Sequence, residues 1–558
     1  MIKYNDQREK RKRFSYFDLA ALIIIILACF LRFLFISFGW PVTNSDEAIF
    51  NLMALHIKNH VDYPVFFYGQ QYLGAIDAYV GATMFSVFGV SVWSMRMGML
   101  LYYVLFLVCM YIITSKIFSK SFALITLVIL GLGTEFLYVF QLLPGYPSLP
   151  FLSSLLFLLS YQLITTEYHW IWNILLFLFW GIVAGLLLWV NFIALPYIIV
   201  AGLLLVLWRW KALLKWSWIV LLGVIIGAWP LIHYNLTAAP GEDSISIFIS
   251  ISKLGSGVNY VPIDHIISPL FITLPTLLGL YPDCYISALS PLHVSRRCLA
   301  LQTMYGLGYV ILFVIALTLI SVTILGIWKY RSKQSDTKEE LIRQSARLML
   351  LIGAALTLII FARNSAGIFA GVLGLRYLIC TLVSLPAILW PLYERLPIKP
   401  GNVGMWRLTL NVFRFGIILI VCLMSFSASM NIFHKIPLDQ ANQQKFDQLA
   451  NKLEQLHITR FYSEYWTCNR LIFQTQEALV CANTRGNLTH GFDRYKPYRR
   501  LVDADSNPGF VYPENFGLIP EFEHALASTH TAYQKFIFEG YVIYKTAHRI
   551  PGLKLYQD

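Results

Sequence analysis

"IDAYVGATMFSVFGV", residues 76–90, decides how this chain threads a membrane. The run is apolar, yet as an α-helix it reaches only about 22 Å. A bilayer core is about 30 Å thick. If the segment crosses, every later loop changes side; if it does not, the remaining apolar runs set the topology alone.

The chain around it is that of a polytopic membrane protein. Of 558 residues, 57% are hydrophobic and 13% charged, and the mean hydropathy is +0.62. Soluble domains carry about 25% charge. The net charge of +13 does not point to nucleic acid, because the basic residues are spread over short loops between apolar runs. "KRKRF" (10–14) precedes a long apolar stretch with no cleavage pattern, which predicts an uncleaved first span.

Runs long enough to span lie near 17–37, 97–115, 121–141, 148–165, 170–189, 192–208, 216–234, 304–328, 346–365, 376–393 and 411–430. With 76–90 left out, the basic loops all fall on the side of the N-terminus: Lys116 and Lys120, then Arg209, Lys211 and Lys215, then 329–347, then Arg395 to Arg414. That is the positive-inside distribution, and it inverts from the second loop onward if 76–90 crosses. The expectation is therefore about 11 transmembrane helices, N-terminus cytoplasmic, with 76–90 packed at the outer face. Residues 1–434 form the membrane domain, with an outer loop at 38–96 carrying surface helices and a long one at 235–303. Residues 435–558 are polar and read as an extracytoplasmic α/β domain. It opens with Phe446, Leu449, Leu453 and Leu456 at helical spacing, followed by the strand-like runs "ITRFYS", "ALVCA", "FVY" and "FIFEGYVIYK". Cys284 with Cys298, and Cys468 with Cys481, can each pair in an oxidising compartment; spacing leaves both open.

The acids collect on the outer side. In "PVTNSDEAIFNLMALHI" (41–57), Asn44 and Glu47 fit a capping box, and Ile49, Leu52, Met53 and Ile57 suit a helix lying on the membrane surface. Capping accounts for Glu47 and leaves Asp46 unexplained. "YPVFFYGQQYLGAIDAY" (63–79) gathers Tyr68, Gln70, Gln71, Tyr72 and Asp77, amides and rings that fit a sugar. An interfacial aromatic belt explains the tyrosines but not Asp77. Arg376 and Tyr377 open the tenth span from outside, where an Arg fork can grip phosphate or snorkel to headgroups. Arg32, at the outer end of span one, leans toward snorkelling. Glu135 and His233 are the candidates for a divalent metal ion.

Together these residues resemble the GT-C glycosyltransferases, in the bacterial branch related to protein O-mannosyltransferases and the lipid A aminoarabinose transferase. The resemblance rests on "SDEA" (45–48), "YGQQYLGAIDAY" (68–79), "FGVSVWSMRM" (88–97), "PGYP" (144–147), "GLRYL" (374–378) and "FYSEYWTCNRLIF" (461–473). The Lys-Pro-Pro-Leu-like stretch usual in that branch is replaced by Tyr72-Leu73-Gly74-Ala75. The resemblance implies transfer of a sugar from a polyprenyl-phosphate donor to a lipid, glycan or protein acceptor at the outer face of the cytoplasmic membrane. The Asp-Glu pair, Asp46 and Glu47, then marks the catalytic position, with Asp46 as base. Arg376 and Tyr377 would hold the donor phosphate, and Tyr68, Gln70, Gln71, Tyr72 and Asp77 the sugar or acceptor. The alternative is a lipid-carrier flippase or secondary transporter without covalent transfer. Transporters place ionisable groups at the bilayer midplane, whereas the acids here sit in outer loops.

Overall fold

A computed structural model describes residues 15–252, 262–279, 296–329, 335–364, 368, 371–394, 404–485, 488–517, 519–551, 553 and 555. Cys284 lies outside them. Among the described residues nine helices are long and apolar enough to cross a membrane, and two bent pairs bring the number to eleven if each is one span. The first part of the chain runs α1 (Tyr16–Ser37), α2 (Ser45–Lys58), β1 (Phe66–Phe67), β2 (Gln70–Gly74), α3 (Ile76–Phe88) and α4 (Val92–Ile117). The first bent pair is α5 (Lys120–Gly131) and α6 (Glu135–Leu142). Then come α7 (Ser148–Thr165), α8 (Trp170–Val190), α9 (Leu195–Lys215) and the second pair, α10 (Ser217–Gly227) and α11 (Trp229–Thr237). The helices Arg296–Lys329, Ser335–Arg363, Leu385–Tyr393 and Gly404–Gln455 follow, with a 3₁₀ segment, Gly371–Ser384, before the third of them.

The basic residues mark one level of the bundle. Lys120 pairs with Asp18 at the start of α1 at 2.9 Å. Arg347 donates to the Ile117 carbonyl at the end of α4, and Arg209 to the Leu163 carbonyl near the end of α7. The opposite level gathers the 38–96 loop: Asp77 meets Gly145, the Trp189 indole donates to the Val65 carbonyl, and Phe66 contacts Tyr234 of α11. Each bent pair therefore begins at the basic level and ends at the other. α3 has 13 residues and stays at the second level.

The bends have local causes. Thr134 caps α6 by accepting from the Leu137 amide, and the pair α5–α6 turns by 89°. The orphaned carbonyl of Gly131 is taken by Arg32 at 2.8 Å, whose Nε and Nη2 also hold Gln141 at 3.0 and 2.6 Å. Arg32 is fully buried and lies 3.7 Å from the Tyr103 ring. It stitches a broken helix instead of snorkelling, because an open carbonyl inside the bundle has no water to turn to. Between α10 and α11 the bend is 68°, with Pro230 at the first turn of α11, where its missing N–H ends the preceding ladder.

Gly404–Gln455 is a single 52-residue helix, so residues 434 and 435 are successive members of one helix that crosses the bundle and enters the C-terminal domain. That domain holds a five-stranded mixed sheet, ordered β4-β3-β5-β7-β6, with β3 (Arg460–Ser463), β4 (Val480–Asn483), β5 (Gly509–Pro513), β6 (Tyr533–Phe538) and β7 (Tyr541–Thr546). β4, β3 and β5 are parallel; β7 and β6 are antiparallel. The run "FIFEGYVIYK" is a hairpin broken at Glu539 and Gly540, both at positive φ, as a tight two-residue turn requires. Cys468 and Cys481 are bonded.

The domain shares one hydrophobic core with α2, α3 and α4. This changes the reading of α2. Twelve of its 14 residues are buried, because α3 and the helix Tyr465–Gln474 both pack against it, leaving no broad face to lie on lipid.

Candidate active site

Asp46 stands in the first turn of α2, whose N-cap Asn44 accepts from the Glu47 amide at 2.8 Å. Its side chain is 39% exposed, so it reaches both protein and solvent. From the C-terminal domain, the Tyr465 hydroxyl donates to Asp46 Oδ1 at 2.5 Å. Arg494 Nε donates to that same hydroxyl at 3.0 Å, and Arg494 Nη2 lies 3.8 Å from Asp46 Oδ1. The guanidinium sits between the Phe67 and Phe492 rings, at 5.0 and 4.5 Å. With its amide turned to satisfy these neighbours, Gln70 accepts from both Nη atoms of Arg494 at 3.0 and 3.1 Å. Burial, and then the Asp46 charge, raise the Tyr465 phenol above its ordinary range, keeping it a neutral donor. Ser45 clips the two parts together, donating to the Tyr465 carbonyl at 2.6 Å and accepting from Asn469 at 2.7 Å.

Facing this group is Arg376, in the 3₁₀ segment Gly371–Ser384. Fourteen residues of 3₁₀ helix reach about 28 Å, against about 21 Å as α-helix, so the change of winding lengthens the segment. The Arg376 guanidinium lies 5.3 Å from both the Tyr146 and Tyr377 rings. Its Nε is shut off from solvent with no hydrogen-bond partner among the described residues. Tyr72 lies between the two halves: burial, then Tyr377, push its phenol up to about 12, and the Arg376, Arg494 and Asp46 charges all act on it. Tyr146 likewise feels both Arg376 and Asp46. The Asp46 carboxylate and the Arg376 guanidinium thus both act on the phenols of Tyr72 and Tyr146 that lie between them.

Asp77 does not belong to that group. It is buried, and its Oδ2 accepts from the Gly145 amide at 2.6 Å, fixing the turn that carries Tyr146. Gly145 has φ +111°, and a Cβ there would press on Phe50 at 3.3 Å. Burial raises the Asp77 carboxyl to about 6.

The other sequence candidates scatter. Both Glu47 oxygens are held by Arg96 Nε and Nη2 at 2.7 Å, so the capping box closes on one side only. The Tyr68 hydroxyl donates to Asp62 and meets His56 Nδ1 at 2.8 Å. His56 in turn reaches Glu477, so Tyr68 belongs to a polar seam between loop and C-terminal domain. Glu135 is paired with Lys435 at 2.7 Å, and His233 is exposed beside Trp229. No cluster of three metal-ligating side chains occurs among the described residues, so Glu135 and His233 do not fit the expected metal site. Tyr146, Tyr465 and Arg494 were not singled out from the sequence. The first two lie inside the quoted motifs, whereas Arg494 stands among aromatic and basic residues without a motif.

Adjoining Tyr72 and Tyr377 is a mostly apolar cavity lined also by Phe192, Phe248, Ile360 and Phe361, among others.

This architecture has known counterparts. ArnT from Cupriavidus metallidurans bound to undecaprenyl phosphate matches with a TM-score of 0.52 and 12% identity, over 95% of this chain and 97% of that one. Its apo state matches equally, over 98% of that chain. The Archaeoglobus fulgidus oligosaccharyltransferase tethered with an acceptor peptide matches with a TM-score of 0.52 and 14% identity, over 98% of this chain and 75% of that one. These are GT-C proteins, and the likeness establishes that the chain has the GT-C fold. No family model and no curated protein sequence matches it.

Proposed function

We propose that the protein is a glycosyltransferase that moves a hexosyl or pentosyl unit from a polyprenyl-phosphate donor to an acceptor hydroxyl at the outer face of the cytoplasmic membrane. The observation that carries this reading is that Asp46 and Arg376 both act on Tyr72 and Tyr146, with Tyr72 also lining an apolar cavity. The lipid phosphate bound in the ArnT structure is the ligand a cleft between Asp46 and Arg376 would take.

Asp46 accepts the proton of the acceptor hydroxyl as its oxygen attacks the anomeric carbon. The bond from that carbon to the phosphate oxygen breaks, and the lipid phosphate leaves as an anion. Arg376, with an unspent Nε–H, stabilises the charge developing on it, so no general acid is needed. Because Arg96 holds Glu47 away, Asp46 is a single base. One in-line displacement follows, with inversion. The apolar cavity holds the first isoprene units of the carrier. The Tyr465 and Arg494 donors keep the Asp46 carboxylate aimed into the cleft. The Tyr465–Cys468–Cys481 region then lies outside, with the N-terminus inside.

Proteoliposomes supplied with radiolabelled polyprenyl-phosphate sugar and an envelope extract as acceptor test the reading. Covalent transfer is expected, and Asp46→Asn is expected to lower it by about 10²–10⁴-fold with protein level and donor binding intact. Wild-type activity in that variant removes Asp46 as base. Movement of the donor between leaflets without a covalent product replaces the enzyme by a flippase.

A further inference from the structure

A second cavity shares no lining residue with the first and is lined by Thr43, Ser91, Gln443, Arg470, Gln474 and Gln476, among others. Phe473, stacked on Phe85 at 18°, also lines it, with Val90 and Val92 at the start of α4. Arg470 is the one charged residue in that lining among the described residues. Three amides, two hydroxyls and a guanidinium offer many donors and acceptors at fixed positions. Gln443 and Gln474 are both anchored on Asp447, at 2.8 and 2.7 Å, and Arg470 donates to Gln443 at 3.2 Å. Gln476 adopts φ +46°, a conformation that costs a residue with a Cβ and is kept where surroundings demand it.

The cavity connects to Asp46 through one helix. Tyr465, at the start of Tyr465–Gln474, touches Asp46. Its neighbour Trp466 is 52% exposed and stands edge-on to the Tyr465 ring at 5.2 Å. Trp466, Arg470 and Gln474 are four apart, so they share one face that runs about 12 Å from the mouth of the cleft to the cavity. Thr43 lines that cavity three residues before Asp46.

We infer that the acceptor is an oligosaccharide lying along this face, its reacting hydroxyl at Asp46, one ring on Trp466, and its distal sugar in the glutamine-rich cavity. The inference rests on the transfer reaction proposed above and names its acceptor class. An exposed indole suits the apolar face of a sugar ring, and amides that both donate and accept suit its hydroxyls. A peptide would instead use a sheet edge or an apolar groove, and this face is neither. With no acidic residue in the lining, neutral or anionic glycans fit.

The test uses the full-length protein in nanodiscs with fluorescently end-labelled envelope oligosaccharides of one to four sugars. Affinity is expected to rise with length, and Trp466→Ala and Gln474→Ala are each expected to weaken tetrasaccharide binding roughly fivefold to tenfold while leaving monosaccharide binding unchanged. Both positions are at the surface, and thermal unfolding verifies that each variant is folded. Length-independent binding, or wild-type binding in both folded variants, overturns the inference, as does displacement of the glycan by unglycosylated peptides. Length-dependent binding in a protein that performs no transfer leaves the saccharide site standing and removes the transfer reading. Transfer that ignores acceptor length and both substitutions does the reverse.

Discussion

Arg96 closes two parallel N–H donors on the two oxygens of Glu47, each at 2.7 Å, with 1% and 0% of the side chains exposed. The pair ties the start of α4 to the start of α2, and so sets where Asp46 stands. Removing one partner leaves a buried charge unmatched, which costs about 3–5 kcal/mol. Arg96→Ala and Glu47→Gln are therefore each expected to lower the unfolding temperature strongly, the second because it keeps the shape but leaves the Arg96 guanidinium buried without its counter-charge. Thermal unfolding in detergent checks both. An Arg96→Ala protein as stable as wild type would mean that the pair is incidental.

Arg376→Ala removes the phosphate partner assigned to the cleft. Hydrogen bonds to charged groups contribute about 1.5–3 kcal/mol, so the donor KM should rise roughly tenfold to a hundredfold with the acceptor KM nearly unchanged. Arg376→Lys keeps the charge and loses the fork, and should fall between. A shift in acceptor saturation instead reassigns the residue.

Asp77 carries a pH prediction. Its folded-state carboxyl sits at about 6, above the free value of 3.8, because of burial. Between those values the folded protein binds more protons than the unfolded chain. Stability therefore falls as pH rises through that window and is level above it. Asp77→Asn retains an acceptor for the Gly145 amide and removes the buried charge. Its stability should be higher at pH 7, on the order of 1–3 kcal/mol, with the slope between pH 4 and 6 flattened. Unfolding curves across that range decide the matter; an unchanged slope contradicts the assignment.

The bonded pair Cys468 and Cys481 joins the helix Tyr465–Gln474 to β4. Closing a loop of this size contributes about 3 kcal/mol. Reduction, or Cys468→Ala with Cys481→Ala, is expected to loosen this helix and with it the Tyr465 contact to Asp46. Activity should drop before the membrane bundle melts, which circular dichroism and transfer assays on the same sample would separate.

Hydrocarbon thickness made the spans legible, since a run of about 20 apolar residues has few other uses. Charge placement made α3 legible as a segment that does not cross. The bends at Gly131 and Ala228 were not, because the partner that makes the first one tolerable, Arg32, lies 99 residues away. Asp46 was legible only as a carboxylate that capping leaves unexplained, and Arg376 only as a cation divided between phosphate and headgroups; the Tyr465 hydroxyl on Asp46 lies 419 positions away and was not legible. Glu47, Tyr68 and Asp77 looked equally chemical, and each is instead occupied by a distant partner: Arg96, His56 and the Gly145 amide. Buried polar groups must find such partners, and local spacing says nothing about which.

Tyr465 and Asp46 are separated by 419 positions. At ribosomal speeds of about 5–20 residues per second, the carboxylate is made on the order of 20–80 s before the phenol that steadies it, and Arg494 comes later still. A nascent chain with its bundle already in the membrane therefore holds Asp46 without its two C-terminal partners. The group around Asp46 is thus assembled late relative to the carboxylate itself, once the chain has been made as far as Arg494.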